Sequence, residues 1–151
     1  MLKNIHILIF TLIIQVLLIS TALADPPIFV KLTLIEAEKK QTSYMDQALA
    51  SSQDKLIKKF SQYQSFKQIG NIDKKLNAQQ TISMSLVKNI KANVLYEGED
   101  QNKYKLRLQI PEKKVDLEIK SQNNHTIFQV MQKNQKDTLL ILMINISSSI
   151  D

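Results

Sequence analysis

The chain has 151 residues and a formal net charge of +6, with two glycines, no cysteine and no tryptophan. The missing cysteine excludes disulfide staples, thiolate metal sites and a lipid-modified N-terminal cysteine. Two isolated glycines, Gly70 and Gly98, exclude a glycine-rich phosphate loop. The basic excess is modest and interleaved with acids, unlike the concentrated stripe of a nucleic-acid binder.

Residues 1–24 read as a secretory signal peptide. Lys3 supplies the positive n-region, Ile5 to Ile19 the apolar stretch, and Ala22-Leu23-Ala24 the small-residue cleavage signal, with cut expected before Asp25. The alternative is an uncleaved N-terminal anchor, for which the apolar run falls short of the roughly 20 residues that span a bilayer. Residues 25–151 are then one domain, long enough for a single core. Export without disulfides, in a chain rich in Lys, Asn, Gln and Ile, suits a bacterial periplasmic or secreted protein.

Asp25-Pro26-Pro27 is a stiff lead-in to a strand, Ile28 to Ala37. Ile28, Val30, Leu32 and Leu34 share one face, and Phe29 and Ile35 add apolar weight to the other, which places this strand inside a sheet. A helix is expected over roughly Asp46 to Tyr63, with Met45, Leu49, Leu56, Phe60 and Tyr63 at helical spacing. Ser43, Ser51 and Ser52 are alternative caps. Gln64 to Ile72 reads as a second strand with Phe66 and Ile69 inward.

From Lys75 onward the pattern is strand throughout. Thr81 to Val87 and Ile90 to Tyr96 flank a turn at Lys88-Asn89. Glu97 to Asn102 is expected as a loop. Lys103 to Ile110 alternates cleanly and stops at Pro111. Val115 to Lys120, Thr126 to Gln132 and Thr138 to Ser147 complete the set, the last apolar on both faces and therefore interior. The expected class is α+β: a β-α-β unit followed by an antiparallel meander of about six strands, with one helix packed on the sheet.

The order of "VKLTLIEA", a helix ending in "LIKKFSQYQSFKQI", and strand pairs closing on "DTLLILMINI" resembles a family of small exported bacterial proteins. The shared element is Tyr-x-Ser-[Phe/Tyr], here Tyr63, Ser65 and Phe66. The resemblance implies export and a strand–helix–hairpin fold, and no assigned activity.

Chemistry is thinly supplied. The single histidine after residue 24, His125, sits at a turn with no marked partner for a triad. Glu97, Glu99 and Asp100 lack the spacing of a calcium loop, and Asp116 and Glu118 lie among lysines on a polar strand face. No catalytic residue, metal site or cofactor is expected, although a small carboxylate-dependent hydrolase is the alternative reading. Two basic faces stand out: Lys55, Lys58 and Lys59 on the helix, and Lys103, Lys105 and Arg107 on a strand. They point to a non-enzymatic binding or structural module whose partner is an envelope protein or an anionic polymer, with at most peripheral membrane contact and no nucleic acid.

Overall fold

The computed structural model describes residues 25–133 and 137–149. The expected signal segment, including Ala22 and Ala24, lies outside the described residues. Among the described residues no helix is long and apolar enough to cross a membrane.

The described chain is mostly strand with one short helix, an α+β arrangement. In order it forms β1 (Ile28–Glu38), β2 (Tyr44–Met45), a 3-10 turn (Gln47–Ser52), α1 (Gln53–Lys59), β3 (Ser65–Leu76), β4 (Gln80–Val87), β5 (Ile90–Asp100), β6 (Lys103–Ile110), a second 3-10 turn (Pro111–Lys113), β7 (Val115–Ser121), β8 (His125–Lys133) and β9 (Thr138–Ser147). One sheet has the order β2-β3-β1-β9-β8 and the other β4-β5-β6-β7. β1 is antiparallel to both β3 and β9. The two long strands on either side of the helical segment, β1 and β3, are therefore antiparallel neighbours, while the two-residue β2 pairs parallel to β3. The meander is four strands in a sheet of its own, and the last hairpin returns to the first sheet.

Strand alternation builds two cores. Ile28, Val30, Leu32 and Leu34 of β1, with Leu142, Ile144 and Ile146 of β9, pack against Val94 and Tyr96 of β5 and Leu106, Leu108 and Ile110 of β6. The opposite face of β1 carries Phe29 at its near end, Lys31 and Thr33 in the middle, and a buried apolar stretch only at its far end. There Ile35 and Ala37 join Phe66, Leu139, Ile141 and Met143 beneath Leu49, Leu56, Phe60 and Tyr63 of the helical segment.

The single expected helix is broken in two. Asp46 caps its start, Oδ1 accepting from the Ala48 amide at 3.1 Å. Residues 47–52 wind as a 3-10 turn, and regular α structure is confined to α1, which ends at Lys59. Ile69 is not inward. Leu34 lies opposite Gly70 and Ile35 opposite Gln68, so Ile69 is the extra residue of a β-bulge and stays exposed. Glu97 to Asp100 is strand and not loop. A second bulge at Glu97 preserves the pairing of β5 with β6, and the turn shrinks to Gln101 and Asn102.

Tyr96 points into the inter-sheet core, its ring edge-on to Tyr104 at 6.3 Å. Its hydroxyl is buried and has no hydrogen-bond partner among the described residues. Burial, reinforced by the Asp25 and Glu99 carboxylates, pushes this phenol up to about 12 from an ordinary 10.0. A buried polar group without a partner costs about 1–3 kcal/mol. Tyr96→Phe is therefore expected to raise stability at neutral pH by about 1 kcal/mol in urea titrations. Because the folded-state pKa is raised, the neutral phenol's contribution is complete below pH 10 and is lost as pH climbs toward about 12. The advantage of Tyr96→Phe should widen over that window. An unchanged or lower midpoint for the variant counts against an orphaned hydroxyl.

A polar cleft beside the helix

The outer face of the five-stranded sheet changes character half-way along β1. Asp73 on β3, Lys31 on β1, Asn145 on β9 and Thr126 on β8 are successive cross-strand neighbours and form one polar row. The next row toward the helix is mixed: Asn71, Thr33, Met143 and Phe128. In it the buried Thr33 hydroxyl donates to Asn71 Oδ1 at 3.1 Å. Beyond that row the helical segment covers the face.

The open part is a cleft of about 420 Å³. The polar row lines its floor, Phe29 and Ser147 lie one row further out, and Ser51, Ser52 and Lys55 form the helical wall. Asn124, Ser147 and Ser149 also line the cleft, and reciprocal bonds tie their neighbours together: Asn123 Nδ2 donates to Ser148 Oγ at 3.1 Å, and the Ser148 amide donates to Asn123 Oδ1 at 2.9 Å.

Lys55 reaches across the cleft wall, its Nζ donating to Thr126 Oγ1 at 3.2 Å. Lys31 is the fourth residue of β1, the middle strand of the sheet, with its side chain exposed. Among the described residues neither Lys31, Asp73 nor Asn145 has its side chain committed to a hydrogen bond or ion pair. Lys75 lies 6.0 Å from the centre of the Phe29 ring, adding a third cation at the outer end.

The two expected basic faces fare differently. On the helix, Lys55 turns to the cleft and Lys58 to solvent. Lys59 lies over the Phe128 ring at 5.5 Å and donates to the Phe128 carbonyl at 3.4 Å. On β6, Arg107 forks onto Asp116 at 3.0 and 2.9 Å, and Lys105 pairs with Asp100 at 2.7 Å. Hydrogen bonds from Arg107 and Gln109 hold the Asp116 carboxyl below its ordinary range, and Lys105 does the same for Asp100. Lys103 remains exposed. The β6 face is thus largely neutralised by its own acids, and it lies on the other sheet from the helix.

Sequence reasoning found Lys55 and missed Lys31, Asp73, Thr126 and Asn145. These come from four strands, and only the register brings them into line. The one available signal was Lys31, a charge in a strand whose second face is otherwise apolar at Phe29 and Ile35. His125 is exposed at the start of β8, and among the described residues no three His, Cys, Asp or Glu side chains are grouped to hold a metal ion. Set against family models, curated proteins and solved structures, the chain matches none.

Proposed function

We propose that this chain is an exported bacterial envelope or secreted protein, a non-enzymatic binding module that attaches to an anionic polymer through the outer face of its five-stranded sheet. One observation carries the reading: Lys31 and Lys55 flank an open polar cleft, whereas two of the three β6 cations, Lys105 and Arg107, are spent on neighbouring acids. Such cations attract a polyanion at low ionic strength and lose it as salt screens them. The signal-like residues 1–24, and the resemblance around Tyr63, Ser65 and Phe66, support export.

Fractionation of the native host tests the reading. The recovered protein is expected to begin at Asp25 by mass, to sediment with envelope material at low salt, and to be released by roughly 1 M salt, where the screening length is about 3 Å. A protein that is soluble at low salt sinks the electrostatic attachment and redirects the search to a protein partner at a sheet edge. A mass that retains residues 1–24 favours the uncleaved anchor instead.

A further inference from the structure

The cleft asks more of its ligand than negative charge. Lys31 and Lys55 donate, and both suit an anion. Asp73 stands directly across from Lys31, and as a carboxylate it only accepts. Asn145, the other neighbour of Lys31, offers one acceptor and two donors. A bare phosphate or sulfate would set its charge against Asp73 and leave that carboxylate unanswered. A neutral sugar would leave two lysines unanswered. The ligand that satisfies the whole row carries one negative charge and several hydroxyl groups that can donate. Phe29 offers an apolar ring at the outer end for a C–H face. The volume, about 420 Å³, is within the range of small-ligand pockets.

We infer that the cleft binds a carboxylate-bearing sugar, a hexuronate unit of an acidic polysaccharide. Its carboxylate lies between Lys31 and Lys55, and its hydroxyl groups donate to Asp73 and Asn145. This rests on the proposed binding module and names its ligand class. A singly charged carboxylate meets less repulsion from Asp73 than a doubly charged phosphate does.

Calorimetry on the protein recovered from its host tests the inference, using short oligomers of galacturonate, glucuronate and mannuronate at low salt. At least one is expected to bind, with a neutral maltotriose and inorganic phosphate each about tenfold weaker or worse. Lys31→Met and Lys55→Met should each weaken the uronate about tenfold, the worth of one charge-assisted hydrogen bond. Both side chains are exposed, so the variants should fold as the parent does. Asp73→Asn should keep the attraction for anions but lose the preference for uronate over phosphate. The inference is overturned if no uronate binds, if phosphate binds as tightly, or if Lys31→Met leaves binding unchanged. If salt-releasable envelope attachment persists in any of those cases, the ligand class is wrong and the binding module stands. If attachment is absent too, both fail.

Discussion

Phe66→Ala is expected to remove about 3–5 kcal/mol of stability, the cost of emptying a buried phenylalanine site that cannot collapse around the loss. Phe66 is 1 % exposed and sits on β3 opposite Ala37 of β1, with Met45 of β2 on its other side. It is the platform for the helical segment. The 3-10 turn has six residues and α1 seven, too few to be stable without tertiary packing. What holds them is Leu49, Leu56, Phe60 and Tyr63 resting on Phe66, Ile141 and Met143. Backbone ties run through the same place: the Asp46 amide donates to the Phe66 carbonyl at 3.0 Å, and Asp46 Oδ2 accepts from the Gln68 amide at 3.2 Å. Against a typical domain stability of about 5–15 kcal/mol the loss is severe. Urea titrations of Phe66→Ala and Phe66→Leu measure it, the leucine variant losing about half as much or less because it keeps most of the volume. A loss below about 1 kcal/mol for the alanine variant would show that the helix is not anchored on this residue.

Strand positions were the most legible part of the chain because period-two alternation reports burial directly. Lys103 to Ile110 is observed with the bounds that its pattern predicts, and β1 and β9 lie inside their sheet as their two-sided apolarity requires. The turns were harder to read because this chain makes them without glycine. Asn89, Gln101, Asn102, Lys114 and Asn124 all take positive φ, and only the asparagines announce that tendency in the sequence. The acidic run "EGED" reads as loop by composition. It pairs as strand because Lys103 and Lys105 lie opposite on β6 and Asp100 closes an ion pair with Lys105. β3 continues past Ile72 to Leu76 for a related reason. Asn71, Asp73 and Lys75 lie on the sheet face that carries the cleft, Asp73 lining it, while Ile72 and Leu76 on the other face join the core on either side of the exposed Lys74. The cleft itself was illegible. Its floor joins residues 31, 73, 126 and 145, and their alignment depends on two registers of β1 and one of β9, which local periodicity does not specify.

Gly70→Ala is expected to destabilise by about 1–3 kcal/mol, against the usual sign for a glycine replaced in a strand. Where a β-carbon fits, losing glycine's unfolded-state freedom gains about 0.4–1 kcal/mol. Here it does not fit. A Cβ on Gly70 would run into the Leu86 carbonyl oxygen and come within 2.7 Å of Val87 Cγ1 and 3.2 Å of the Leu86 carbonyl carbon. The nearest obstacle is backbone, so no rotamer change relieves it. Two irregularities meet at this corner. Ile69 is bulged out of β3, and β4 skips register between Ser85 and Val87, which leaves Leu86 as its extra residue. The bulges turn β3 and β4 toward each other, and the sheets approach closely where Gly70 has no side chain. An alanine must push β4 away from a core that includes Leu86, or tilt β3 and carry Asp73 with it. Gly98→Ala is a useful contrast. There the near atoms belong to the Asp25 carboxylate, a side chain and not backbone, and the penalty comes from a φ of +119°. Urea midpoints measured for Gly70→Ala and for Gly70→Ala combined with Val87→Ala separate the two contacts. Relief by the second change would assign the cost to Cγ1. No relief would assign it to the Leu86 carbonyl, the outcome expected from the geometry. A Gly70→Ala protein as stable as the parent would mean that β3 and β4 are not in close contact at this corner.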